Sequence, residues 1–209
     1  MGSVMVEMEG TKMVLAVSDD GMVVELRSDG TWAVASTVST ASGDFRGLSW
    51  GSSVADVRAR ERRDAKLEGQ DVLVFPERVS DMEADAAYIF VAGRLTRAKY
   101  IFTEKFTSPN RYLVAYQQVK TLFSGKYGEP DEDLPVWHDN HYRDDPDGWG
   151  LAVERGDLTF FTSWTTTRTE ISLILHGNDY ESQLSVEYTS SALKAWAESV
   201  QLEAEHDLI

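Results

Sequence analysis

The side chains with the clearest capacity for chemistry lie in the acidic segment 129–157. This segment contains ten acidic residues, two arginines and no lysine, which gives it a net charge of −8. His138 and His141 stand three residues apart within it, close to Asp139 and Asp144. Imidazole nitrogens and carboxylate oxygens are ligands for zinc and related metals. The spacing therefore predicts these four residues as metal ligands.

The same segment has two further interpretations. Its acids depart from the alternate spacing of an EF-hand, and a long solvated loop accounts for them without any metal. Trp137 and Tyr142 interleave with the acids. Aromatic side chains among charged ones are frequent anchors of protein interfaces. We therefore expect Trp137 and Tyr142 to contact a partner protein, with the metal site and the solvated loop as alternatives.

A basic stretch follows residue 57. Arg58 and Arg62 lie one turn apart in a helix predicted at about 53–66, which places them on one face. This face could bind an anion or a partner protein. It could equally be a solvated surface that pairs with the surplus acids of the chain.

Templates for catalysis fit the sequence poorly. Residues 47–51 match the G-x-S-x-G pattern, which activates a serine only on a sharp turn after a buried parallel strand. The preceding residues 41–44 are small and polar, so no such strand leads into Ser49. A phosphate-binding glycine loop and an H-E-x-x-H pair are also missing from the sequence. These features favour a non-catalytic protein but leave enzymatic activity undecided, and they predict no catalytic residue and no cofactor.

The composition narrows the possible partners. The 209 residues carry a net charge of −15, which disfavours binding to phosphate backbones and therefore to nucleic acid. The absence of cysteine excludes disulfides and thiolate metal sites. The sequence has neither an apolar run of membrane-spanning length nor the features of a signal peptide. We expect a cytoplasmic protein as the chain stands, or a periplasmic or envelope protein if an export signal has been removed. The expected partner is another protein, with the chain itself a monomer or weak homodimer.

Hydrophobic periodicity predicts an α+β fold. Apolar spacings of three and four residues over 110–127 indicate a helix that ends at Gly128. Strands with alternating apolar residues are predicted at 149–153, 158–164, 171–175 and 184–188, after three strands near 71–79, 86–92 and 95–105. We expect helices packed on one face of an antiparallel sheet, in a tandem helix-plus-β-meander repeat.

The predicted domain organisation has three parts. Residues 1–34 form an N-terminal β-hairpin extension, and the small polar residues 35–44 form a linker. Residues 45–209 form the α+β domain. Its two helix-plus-meander halves cover about 45–109 and 110–190, and a C-terminal helix follows.

One stretch resembles a known group of sequences. Phe45-Arg46-Gly47-x-x-Trp50-Gly51-x-Ser53-x-x-x-Val57 is similar to the opening of a group of uncharacterised bacterial proteins. The likeness continues through Tyr100-x-Phe102 and Leu122-x-x-x-Lys126-Tyr127-Gly128-x-Pro130, and covers about residues 45–190. The hairpin that ends in Asp29-Gly30-Thr31-Trp32 is similar to short N-terminal modules of other bacterial proteins.

The doubled helix-plus-meander plan also resembles the fold of the β-lactamase-inhibitor proteins and of small outer-membrane assembly lipoproteins. Those proteins bind other proteins without catalysis. The resemblance therefore implies a bacterial protein-binding or inhibitor-like module. The alternative is a metal-binding protein or metal-dependent hydrolase that uses His138, His141 and the neighbouring acids.

Overall fold

The computed structural model describes residues 43–69 and 71–206, with side chains to residue 203, and four strands nearer the N-terminus. These strands are β1 (Ser3–Met8), β2 (Thr11–Val17), β3 (Val23–Leu26) and β4 (Trp32–Val34). They form an antiparallel sheet in sequential order. The chain divides into two compact units, Met1–Ser42 and Gly43–Ile209. The predicted linker at 35–44 lies outside the described residues except for its last two.

The second unit contains an eight-stranded antiparallel sheet and four α-helices. Its strands are β5 (Leu67–Glu68), β6 (Val72–Val79), β7 (Met82–Val91), β8 (Arg94–Phe102), β9 (Glu132–Trp137), β10 (Leu158–Thr165), β11 (Thr169–Asn178) and β12 (Glu181–Ser190). Its helices are α1 (Val54–Glu61), α2 (Asn110–Tyr127), α3 (Trp149–Glu154) and α4 (Lys194–His206), with a single 3-10 turn at Pro146–Gly148. None of the described helices is long and apolar enough to cross a membrane.

The order of the strands in this sheet is β5-β6-β7-β8-β12-β11-β10-β9. Helix α1 precedes the meander β6-β7-β8, and α2 precedes the strands that end in the meander β10-β11-β12. The two meanders join where β12 pairs with β8. The predicted α+β class, with an antiparallel sheet and a tandem helix-plus-meander repeat, is confirmed.

Helix α2 packs on the face of the sheet that carries the main core, here called the first face. Its buried residues include Tyr116, Val119 and Phe123, at the spacings that the sequence predicted. Phe123 meets Trp164 of β10 with ring centroids 5.9 Å apart. The helix ends at Gly128, which has a positive φ of 90° that favours glycine. Local periodicity therefore placed this helix correctly.

Helix α1 begins with a capping box. The Ser53 hydroxyl accepts from the Asp56 N–H at 3.2 Å, and the Asp56 carboxylate accepts from the Ser53 N–H at 2.8 Å. The helix ends at Glu61, about five residues before the predicted end at 66. Arg62 adopts a left-handed conformation with φ of 54°, which stops the helix.

Two local predictions within the acidic segment were wrong. A strand was predicted at 149–153, but these residues belong to α3. Gly150 is buried, and its N–H donates to Asn110 Oδ1 of α2 at 2.9 Å, so packing on α2 selects the helix. The alternative of a long solvated loop also fails in part, because β9 forms an edge strand within it.

Helix α4 lies against the opposite side of the sheet, here called the second face. Ile171, Leu173 and Leu175 of β11 are buried in the main core, so the intervening side chains of that strand point to the second face. Glu170 precedes Ile171 and points to the second face by the same alternation, and its carboxylate accepts from Lys194 of α4 at 2.6 Å. Ala197 of α4 is buried. The second face is therefore covered in part by the C-terminal helix. The expectation that the helices pack on one face holds for α1, α2 and α3, whose buried residues belong to the main core, but not for α4.

Candidate functional site

The two aromatic residues predicted as interface anchors serve mainly to hold the acidic segment in place. Trp137 ends β9 and packs edge-on against Trp149, with ring centroids 5.8 Å apart. Tyr142 is half-buried, and the Arg155 guanidinium lies 5.7 Å from its ring centroid. Both rings pack against the main core. Their role as partner contacts stays a prediction.

The predicted metal ligands are near one another in the chain but do not form a donor set. His138 Nε2 lies 3.3 Å from Thr159 Oγ1 of β10. The Asp139 carboxylate accepts from the His141 N–H at 2.8 Å, which closes a local turn. Within residues 43–69 and 71–203, no three histidine, aspartate or glutamate side chains converge as metal ligands do. The metal hypothesis, which also included the exposed Asp144, therefore has no geometric support here.

Only part of the predicted basic face of α1 is free to bind an anion or a partner protein. Arg58 forms an ion pair with Glu68 of β5. Arg62 lies just past the helix and is exposed. An exposed pair such as Arg58 with Glu68 contributes little to stability, because water screens it. Partner binding by Arg58 and Arg62 stays a prediction.

Ser49 does not lie at a nucleophile elbow. It belongs to the loop before α1, and its carbonyl accepts from the Ser52 N–H at 3.2 Å. The strands of the described sheet pair in antiparallel register, so Ser49 does not follow a parallel strand as a nucleophile elbow requires. The interpretation of the G-x-S-x-G match as a helix entry agrees with this geometry.

A row of apolar side chains crosses the second face at the β9 edge of the sheet. The strand register places Leu134 opposite Phe161, and Phe161 opposite Ile174. Val136 lies two residues beyond Leu134 on the same face of β9. We call these four residues the open-face patch. Leu134 is 45% exposed and Val136 is 37% exposed, whereas Phe161 and Ile174 are half-buried.

The chain segment that contains Leu134 and Val136 is rich in acids without ion-pair partners in the described part of the chain. Of the ten acids in segment 129–157, only Asp133 and Asp157 form ion pairs within the described residues. The other eight are Glu129, Asp131, Glu132, Asp139, Asp144, Asp145, Asp147 and Glu154, and all but Glu154 are exposed. Their negative potential is therefore not neutralised by neighbouring cations of the described chain.

Asp133 links β9 to the core and keeps the edge strand in register. It pairs with Lys120 of α2 at 2.9 Å, and its other oxygen accepts from the Thr162 hydroxyl at 2.8 Å. Burial alone would raise the pKa of Asp133, but these hydrogen bonds lower it below the ordinary value. Thr162 is also hydrogen-bonded to Tyr116, whose pKa burial raises to about 12. The network fixes the strand that carries Leu134.

The edge strand β9 is itself poorly suited to pairing with another strand. Pro135 lies at its centre and has no N–H to donate. Acids at its start add charge repulsion between copies. The free backbone edge of β9 is therefore a poor template for the addition of another strand.

Sequence reasoning missed the open-face patch, although the sequence contained a clue. Phe161 and Ile174 stand at positions that alternation assigns to the side opposite the buried core residues. Large apolar residues at such positions indicate that a second surface is covered or used. Leu134 and Val136 show the same alternation, but the acids around them led to the prediction of a loop.

No family model, curated protein or solved structure matches the chain. The β9 edge of the described sheet presents an apolar contact area, Leu134 and Val136, within an acidic chain segment.

Proposed function

We propose that the Gly43–Ile209 unit is a non-catalytic protein-binding module of the inhibitor-like kind, and that it recognises a basic protein through the open-face patch. The observation that carries this proposal is the exposure of Leu134 and Val136 on an edge strand, in a chain segment where eight acids lack ion-pair partners among the described residues. Apolar centres with polar rims are typical of protein interfaces.

The charge of the segment indicates the kind of partner. Lysine and arginine side chains around an apolar contact would meet the acids, which accelerates association and excludes acidic proteins. Phe161 supplies an aromatic anchor, and aromatic residues contribute strongly to binding when a partner covers them. Contact with the patch removes Leu134 and Val136 from water, which stabilises the complex.

The metal-dependent alternative has less support in the structure. Within the described residues its donor side chains do not converge: His138 Nε2 lies beside the Thr159 hydroxyl, and the His141 ring packs edge-on against Tyr142 with centroids 4.7 Å apart. The anchors predicted from sequence, Trp137 and Tyr142, then act by supporting the segment that displays the acids.

A photo-crosslinking residue at position 161 tests the proposal in the native host. We expect one predominant crosslinked protein with a basic surface, and we expect excess unlabelled chain to compete it away. The same residue at position 67 is the matched control, because Leu67 is 56% exposed at the opposite edge of the sheet. Equal crosslinking from both positions would show that the patch has no specific partner.

The purified partner then allows a quantitative test. The double substitution Leu134→Ser and Phe161→Ser should weaken binding at least about tenfold, as loss of an interface anchor does. Leu67→Ser should leave the affinity within about twofold, the range of a residue outside the interface. Higher salt should slow association, because it screens the acids. An affinity unchanged by the double substitution, together with an association rate unchanged by salt, would refute the proposal.

A further inference from the structure

A cluster of arginines lies far from the open-face patch, beside β6. Five residues line a surface cavity of about 450 Å³, namely Arg46, Arg60, Glu61, Arg63 and Glu77. Three positive and two negative side chains leave this lining with a net charge of +1. The rest of the chain must then carry −16 to give the total of −15. A positive cavity is therefore unusual in this protein.

The two glutamates hold two of the arginines in fixed positions. Arg46 reaches Glu61 at 2.9 Å and Glu77 at 2.6 Å. Arg63 reaches the same two carboxylates at 2.7 Å and 3.1 Å, and its Nη1 donates to the Pro76 carbonyl at 2.6 Å. The Glu61 side chain is only 3% exposed, so the carboxylate shared by the two arginines is shielded from water.

Arg60 differs from its neighbours. Its Nε donates to the Arg46 carbonyl at 2.8 Å, and it forms no ion pair with any described residue. A guanidinium has five N–H donors, so the four on Nη1 and Nη2 of Arg60 stay available in the cavity wall.

Gly47 makes room for this guanidinium. An added Cβ at Gly47 would lie 3.0 Å from Arg60 Nη2, and its φ of +80° disfavours any other residue. The loop that carries Gly47 therefore seats the Arg60 head group at the cavity. The F-R-G stretch singled out from the sequence supplies both Arg46 and this glycine.

We propose that this cavity binds a small oxyanion, a carboxylate or phosphate group, through the Nη donors of Arg60 next to the Arg46 guanidinium. A planar guanidinium matches the two oxygens of such groups in a bidentate contact. The volume is within the range of small-ligand pockets. A monatomic halide lacks the two oxygens that such a bidentate contact needs, so an oxyanion is the expected ligand.

This site is independent of the proposed protein interface. Glu77 belongs to β6, next to the edge strand β5, whereas the open-face patch lies at the β9 edge. Either proposal can fail without the other.

Isothermal titration at low ionic strength tests the site with three probes: inorganic phosphate, succinate and chloride. We expect phosphate, succinate or both to bind, and chloride to give no heat of binding. Arg60→Gln should weaken binding at least about tenfold, as loss of charge-assisted hydrogen bonds does. Arg78→Gln is the matched control, since it removes the same charge from an exposed position of β6 outside the cavity. Its affinity should stay within about twofold of the unchanged protein.

The outcomes separate clearly. Binding of phosphate alone indicates a phosphorylated ligand, and binding of succinate alone indicates a carboxylate. Nitrogen-15 spectra of the arginine Nε–H groups add a test on the unaltered protein, in which Arg60 should shift on addition of the bound probe. Absence of binding by either oxyanion, or equal loss in the two variants, overturns the proposal.

Discussion

Replacing Glu61 by glutamine tests the energetic reasoning about the arginine frame. Glu61 accepts hydrogen bonds from Arg46, Arg63 and the Tyr88 hydroxyl. Its side chain is 3% exposed. Glutamine keeps the shape of the side chain but removes the charge and turns an amide towards a guanidinium. Two arginines then lose their shared buried counter-ion.

The expected loss follows from burial. Removing one partner of a buried ion pair costs about 3–5 kcal/mol, because the remaining charge is left uncompensated. Glutamine retains one acceptor oxygen, and Arg46 also contacts Glu77. We therefore expect a loss near the lower end, about 3 kcal/mol in the free energy of unfolding. The control is Glu68→Gln, since Glu68 pairs with Arg58 but is 60% exposed. Its loss should stay below about 1 kcal/mol.

Urea unfolding at neutral pH measures both losses. The midpoint of the transition should fall for Glu61→Gln with little change in its slope, since the same surface becomes exposed. Circular dichroism confirms that each variant folds before unfolding begins. A Glu61→Gln loss no greater than that of Glu68→Gln would refute the reasoning, because the buried network would then contribute no more than a surface pair.

Three further outcomes are expected. Burial alone would raise the pKa of Glu61, but hydrogen bonds from Tyr88, Arg46 and Arg63 outweigh it and lower the pKa below the ordinary 4.5. The contribution of Glu61 to the free energy of unfolding is therefore complete above pH 4.5, and it is lost as the pH falls through the lower pKa of the folded state. Acid unfolding followed at several pH values should then show a shallower slope for Glu61→Gln than for the unchanged protein. Gly177→Ala should lower the free energy of unfolding by about 2 kcal/mol, because the added Cβ would lie 2.1 Å from a carbonyl oxygen of α3. Gly125→Ala in α2 should raise it by about 1 kcal/mol, because the added Cβ meets no atom within 4 Å and alanine favours the helix. Melting curves with EDTA should match those without it, and a zinc-dependent rise lost on changing His138 and His141 to alanine would contradict this.

Part of the fold followed from local patterns in the sequence. The apolar stripe of α2 and its stop at Gly128 are set by residues within one helix, so spacing alone revealed them. The capping box of Ser53 and Asp56 is also local. Alternation in β10, β11 and β12 identified the strands because one face of each is buried in the core.

Short segments were decided by packing. Trp149, Leu151 and Val153 satisfy an alternating pattern, yet the observed helix buries Gly150, Ala152 and Val153. Contact between Gly150 and Asn110 settles the choice, and these residues are far apart in the chain. The position of β9 likewise depends on pairing with β10, since the short alternation of Leu134 and Val136 follows two acids and is interrupted by Pro135.

By itself the sequence determined the antiparallel α+β class, the main helix of the core and the acidity of segment 129–157. Only the tertiary structure decided which side chains meet, because Leu134, Phe161 and Ile174 come from three strands that register aligns. The same holds for Arg46 and Glu77, which belong to separate segments. Periodicity reports which face of an element is buried, whereas the neighbours across that face depend on long-range pairing that no local pattern encodes.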